Sequence, residues 1–196
     1  MTAQVKYKLG EREANGLCRV IAVEAFSNVS VGDVGGYIES EQNLAHTGNA
    51  WVYGDARVYE DARVSGNAQV YGDARVSGNA QVYGDARVSG NAQVSGNAQV
   101  CGNAWVYWDA RVSGNARVYG DAWVSSVCTV TPKVITGLLY TLTITDKHLR
   151  AGCQVHTYQE WRTKTEREVL AMDGKAALVF YKETLIPLMD VLKLGV

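Results

Sequence analysis

Gly66-Asn-Ala-Gln-Val-Tyr-Gly-Asp-Ala-Arg-Val-Ser-Gly-Asn-Ala-Gln-Val-Tyr83 is three copies of one six-residue unit, Gly-Asn/Asp-Ala-x-Val-x. The unit runs without a gap from Gly48 to Ser125, thirteen times, with Ala50, Ala56, Ala62 and onward to Ala122 and Val52, Val58, Val64 and onward to Val124. Ala and Val two apart point to one side of a short strand, and the residues flanking Val point to the other. Gly with Asn or Asp enters left-handed backbone at least cost, so each such pair reads as a corner. Only Glu60 and Trp108 replace that Gly. A corner every six residues closes a triangular coil after about three units, with Val stacked on Val, Ala on Ala and coils about 4.8 Å apart. A helix is excluded, because a period of six containing Val, Gly and Asn keeps no helical face apolar.

The ends of such a stack expose unpaired strand edges and need caps. Residues 1–47 are expected to form a β cap, with strands at Val5–Leu9 and Cys18–Val23 joined by a turn at Glu13-Ala-Asn-Gly16. Val34 lies eighteen residues before Val52 and Leu44 six before Ala50, while His46 falls in a Val slot, which predicts an irregular first coil. The repeat segment is taken as 48–137, its register continuing weakly through Cys128 in an Ala slot and Val130 in a Val slot until Pro132 and Gly137. Residues 138–196 read as a small α/β domain. It has a strand at Leu139–Ile144, a helix at Thr157–Met172 opened by a Thr157-x-x-Glu160 capping box and stopped at Gly174, and further helix at Lys175–Glu183 and Leu185–Leu192. Leu185, Leu188, Met189 and Leu192 share one apolar helical face, whose first reading is packing on its own domain and whose second is docking on another chain.

Net charge is −1, and the repeat segment carries six Arg against six Asp and Glu60. Phosphate backbones demand a sustained basic stripe, so the charge does not support nucleic-acid binding. No apolar run is long enough to span a bilayer and the first six residues lack a signal-peptide core, so no membrane partner and a cytoplasmic location are expected. Cys18, Cys101, Cys128 and Cys153 show no paired framework, which suits a reducing compartment.

Function is sought on the outside of the prism. An eighteen-residue coil sorts Trp51, Tyr53, Tyr71, Trp105, Tyr107 and Trp123 onto one wall, and Arg57, Arg75 and Arg111 onto a second. Outward Trp and Tyr are contact anchors, so the aromatic wall is a candidate oligomer interface or ligand platform. His148, Cys153 and His156 have a spacing that could gather two imidazoles and a thiolate. Three such ligands plus water would suit zinc, but structural sites usually take four, so no metal or cofactor is assigned.

The repeat resembles the hexapeptide repeat of left-handed parallel β-helices. That likeness implies a mainly β fold with left-handed coiling and a trimer packed wall against wall. The best-known enzymes of this kind are acyltransferases, which generally use a histidine base near a subunit boundary and a loop extruded from the coils. Here neither lies inside the thirteen units, and the nearest histidine, His46, precedes them. The histidine trio of the zinc hydratases is also missing. A closer likeness lies in the flanks. Cys18-Arg-Val-Ile-Ala, Gly32-Asp-Val-Gly-Gly-Tyr-Ile-Glu-Ser-Glu-Gln-Asn-Leu44, Gly48-Asn-Ala-Trp-Val-Tyr53, Thr143-Ile-Thr-Asp146, Gly152-Cys153, His156 and Met172-Asp-Gly-Lys175 are similar to hexapeptide-repeat proteins of bacteriophages and prophages. Such proteins are often labelled transferases or polymer-forming proteins. The expectation is a non-enzymatic binding or scaffold protein in the host cytoplasm, a homotrimer acting on a host protein or small ligand as a counter-defence inhibitor or sponge. The alternatives are an acyltransferase and a phage decoration protein.

Overall fold

A corner every six residues is realised as a three-walled coil. The computed structural model describes residues 5–195. Met1–Gln4, most of the stretch read above for a signal core, lie outside the described residues. The chain divides into two compact units, Met1–Pro132 and Lys133–Val196.

The first unit opens with β1 (Tyr7–Arg12), β2 (Cys18–Ala22) and β3 (Val34–Ile38), paired antiparallel in that order. Thirteen two-residue strands follow, β4–β16, from Trp51–Val52 to Trp123–Val124, and then β17 (Val127–Cys128). Each of β4–β13 pairs in parallel with the strand three further on, as Gln69 and Val70 do with Arg87 and Val88. One wall is β4, β7, β10, β13 and β16; a second is β6, β9, β12 and β15; the third carries the cap sheet into β5, β8, β11, β14 and β17. The unit is therefore a parallel β-solenoid of about five coils. Every Ala and Val of the repeat is buried, at most 1% exposed, so the inner column is structural.

Two details of the repeat acquire physical reasons. The corner Gly of an interior coil has a positive φ, and a Cβ built at Gly66, Gly72 or Gly78 would lie 2.9–3.0 Å from backbone nitrogen one coil later. Conformation and close approach both demand glycine there. The following Asn and Asp form ladders: Asn67 Nδ2 donates to Asp85 Oδ1 (3.0 Å), Asn91 to Asp109 (3.0 Å) and Asn103 to Asp121 (3.1 Å). Stacked carboxylates would repel, and at Asp55 and Asp73, where two Asp follow each other at eighteen residues, Arg19 pairs with Asp55 at 2.9 Å.

The cap follows from the polarity of the coil. Each coil donates N–H groups to the next, as in Trp51 N to Ala68 O (3.0 Å), so the carbonyls of the first coil face outward with no coil to bond them. Each wall closes this edge differently. Lys6 Nζ donates to Ala50 O (2.7 Å), Tyr37 N to Ala56 O (2.8 Å), and Asn43 Nδ2 to both Ala62 O and Glu60 O (2.9 Å each). Asn43 is fully buried, and its Oδ1 accepts from Glu39 N and Ser40 N.

The first coil is irregular in a specific way. Ile38 pairs with Val58 and Leu44 bridges to Val64, both twenty residues apart rather than eighteen. Leu44 thus sits in a Val slot, and Val34 is 62% exposed rather than inside. Two extra residues between Leu44 and Val52 carry His46 outward, where its Nδ1 accepts from Lys6 N (3.3 Å) and its ring stacks on Tyr7 at 4.2 Å.

Burial pushes the Lys6 ammonium down to about 8 from an ordinary 10.5. Between those values the unfolded chain holds the proton that the folded chain has lost, so stability rises with pH across that window. Above about 10 the buried Tyr7 phenol, pushed up chiefly by burial, acts the other way, because the unfolded tyrosine ionises first. The ammonium also gains from the Ala50 carbonyl and from the Phe26 ring 4.7 Å away, which moderates the effect. From about pH 8 to about pH 9.5, urea unfolding of the wild type should gain about 1 kcal/mol relative to Lys6→Met. Parallel pH curves for the two proteins would refute this.

The second unit has the antiparallel sheet β18 (Lys133–Ile135), β19 (Leu142–Ile144), β20 (His148–Ala151) and β21 (Gln154–Thr157), then α1 (Tyr158–Thr163), α2 (Glu166–Phe180), a π turn at Tyr181–Leu185 and α3 (Ile186–Val191). The helix expected over Thr157–Met172 is two, because Thr165-x-x-Glu168 repeats the capping box of Thr157-x-x-Glu160 and starts the chain afresh. The expected stop at Gly174 is met: Asp173 and Gly174 leave helical geometry and divide α2 into two helical stretches that meet at a sharp kink. Leu185 and Met189 are buried in this unit's own core with Leu142, Leu149, Trp161 and Phe180, and Leu188 and Leu192 pack against it. Among the described residues, no helix is long and apolar enough to cross a membrane.

Candidate functional site

The solenoid period places the six aromatic residues on one wall, the tryptophans in one column and the tyrosines in another two residues on, and the cap then divides them. Trp51 is 1% exposed, edge-on to Phe26 at 5.4 Å and to Tyr7 at 6.2 Å, and belongs to the cap core. Tyr53 is tied to the cap through its hydroxyl, which donates to Asn28 Oδ1 at 2.9 Å. Tyr71 is half-buried beyond them.

At the other end of the wall the aromatics gather. Trp105 and Trp123, on neighbouring coils, stack face to face with centroids 4.9 Å apart and planes 5° from parallel. Arg87, one coil earlier, lays its guanidinium over Trp105 at 5.0 Å. Tyr107 stands edge-on to Trp123 at 6.4 Å and to Trp108 at 5.0 Å. The eighteen-residue period makes this strip without further design, because identical wall positions are adjacent in space.

Trp108 is the member that the column reading missed. It occupies the corner position that is Gly in eleven of thirteen units, holds the left-handed conformation at φ 56° and is 65% exposed. For a bulky L-residue that conformation costs roughly 1–2 kcal/mol, and the mostly exposed indole, in contact with Tyr107, offsets only part of it by burial. Its signal in the sequence was the broken corner itself. Glu60, the other exception, has a structural use: its backbone N–H donates to Glu39 Oε2 (2.6 Å), and its own carboxylate accepts from Gly78 N (2.5 Å). On the wall of β5, β8, β11 and β14, which continues the cap sheet, Arg57, Arg75 and Arg111 share the column with Gln93, and Arg57 sits 5.9 Å over the Tyr37 ring.

The histidine and cysteine candidates do not converge. His148 is opposite Thr157 and Leu149 opposite His156 in the β20–β21 register, so the two imidazoles point to opposite faces of the sheet. Cys153 is exposed at the intervening turn. His156 lies edge-on to Trp161 at 4.8 Å, and burial there, then Lys164, pushes its imidazole down. Among the described residues, no group of three His, Cys, Asp or Glu is placed to hold a metal ion. His46 is committed to the cap through Lys6 and Tyr7.

A family model described as the YdcK beta solenoid repeat matches residues 50–66, 68–82, 80–96 and 110–126. The chain is a β-solenoid repeat protein. Three of the four matched stretches lie in the first three coils, and the fourth contains the rungs just after Trp108 and through Trp123. No curated protein matches the chain.

Proposed function

We propose that this chain is a non-enzymatic binding protein whose contact surface is the aromatic strip of Trp105, Tyr107, Trp108 and Trp123, with Arg87 at its edge, and that its partner is a host-cell protein. The observation that carries this reading is Trp108. A bulky apolar side chain held exposed, in a backbone conformation that disfavours it, reduces stability and is retained where a partner needs it. The neighbouring indole and phenol faces are the residue types that dominate interface energetics. The likeness to phage and prophage hexapeptide proteins supports a counter-defence setting, and the wall packing of left-handed β-helices supports a homotrimer.

Trp108→Gly separates binding from folding. Relief of the left-handed strain should raise the unfolding free energy by about 1 kcal/mol, net of the lost Tyr107 contact. A loss of stability would mean that Trp108 serves the fold, and the reading would fail. Plaque counts on hosts bearing defined defence systems, with and without the protein, test the biological half. Infectivity should change with the wild type and revert with Trp108→Gly. Native mass spectrometry should show three subunits.

A further inference from the structure

The second unit contains a cavity of about 280 Å³, near the lower end of the usual range for small-molecule sites. Its floor is carbon: Trp161, Val169, Ala177, Phe180 and Leu185. The polar atoms of the floor are already used internally. Trp161 Nε1 donates to Leu149 O (2.7 Å), and Tyr181 Oη donates to Trp161 O (2.6 Å). An occupant therefore meets only apolar faces inside.

Polarity is confined to the mouth, at Tyr140, Cys153, Gln154 and Asp173. Asp173 stands there because α2 breaks at it: φ and ψ are −156° and 41° at Asp173, and 63° and −151° at Gly174, a region that glycine alone enters freely. Tyr140 Oη donates to Asp173 Oδ2 at 2.6 Å, and the Tyr140 ring is edge-on to Phe180 at 5.0 Å. The hydrogen bond to Asp173, with desolvation, pushes the Tyr140 phenol up to about 12, so it stays a donor. Asp173 makes no ion pair among the described residues. The mouth thus offers one uncompensated negative charge beside aromatic rings, a combination that favours an organic cation and repels an anion.

We infer that this cavity binds a small organic ammonium, its aromatic or branched aliphatic body against Trp161 and Phe180 and its charged nitrogen at Asp173 and Tyr140. The ligand is small because the cavity is, and the amine end must reach the mouth, since the floor has no acceptor to receive it. This site is independent of the aromatic strip on the solenoid and stands or falls without it.

Titration of the full chain with phenethylammonium, followed by calorimetry and by chemical shifts of the Trp161 indole, tests it. Phenethylammonium is expected to bind, 2-phenylethanol to bind about tenfold more weakly, and 3-phenylpropionate not to bind. Asp173→Asn should weaken the ammonium about tenfold while leaving the alcohol unchanged, and being exposed it should leave the melting temperature near that of the wild type. Ala177→Leu, which fills the floor, should abolish binding of both. Equal affinity for alcohol and ammonium, an unchanged affinity in Asp173→Asn, or no binding of the ammonium at all would each overturn the proposal.

Discussion

Asn43→Ala should lower the unfolding free energy by about 3–4 kcal/mol, because one small side chain satisfies two edge carbonyls of one wall, the Ala45 N–H taking that of Val64 (2.9 Å). Its amide donates to the carbonyls of Glu60 and Ala62, and its oxygen accepts from the N–H groups of Glu39 and Ser40, all at 2.9–3.1 Å. Alanine, at a fully buried position, leaves three of these groups without their partner, since the Glu39 N–H also donates to Val58 O (3.1 Å). Each unsatisfied buried group costs about 1–3 kcal/mol, and partial access of water to the edge keeps the sum below the maximum. Asn43→Asp should be at least as damaging, since it removes both donors and sets a carboxylate against two carbonyls. Urea unfolding with an unchanged slope would report the loss. A loss under about 1 kcal/mol for Asn43→Ala would show that the edge does not depend on this residue. An opened edge should also promote end-to-end pairing, visible as larger species in size-exclusion chromatography.

Gly35→Ala has a comparable expected effect for a different reason. β3 crosses so close to the first coil that a Cβ at Gly35 would lie 2.5 Å from Val52 O, 2.6 Å from Val20 Cγ2 and 2.8 Å from the Trp51 ring. The first of these is backbone inside a hydrogen-bonded coil and the third is a ring in the cap core, so neither yields as a flexible side chain would. Overpacking of this kind usually costs about 1–3 kcal/mol, and the backbone contact places this case at about 3 kcal/mol or above. The cap should lift from the coil and expose Trp51, giving a red shift in tryptophan emission with the Ala and Val core still folded. A variant with wild-type emission and wild-type stability would contradict the close packing of β3.

The solenoid was legible because stacking turns one local choice into a global one. When Ala and Val recur every six residues with a glycine corner between them, the chain has few ways to bury both, and every coil repeats the solution. The same logic brought Trp105, Tyr107 and Trp123 together correctly. It failed at Trp51 and Tyr53, which have the same period but lie under or against the cap, and the repeat carries no information about where a non-repetitive segment packs. It also failed at Leu44, because counting by eighteen could not register the two extra residues around His46.

Sequence by itself determined the inner column, the corners and the walls, since each depends on spacing between near neighbours and on the fixed geometry of strands. Even the second break among the C-terminal helices was written in Thr165 and Glu168. Tertiary structure alone decided which aromatics remain exposed, that His148 and His156 face apart, and that Lys6 and Asn43 are edge donors. It also decided that a kink in α2 sets a carboxylate at the mouth of an apolar cavity. These outcomes rest on contacts between segments far apart in the chain, where burial, strand register and the direction of a side chain depend on what another segment covers.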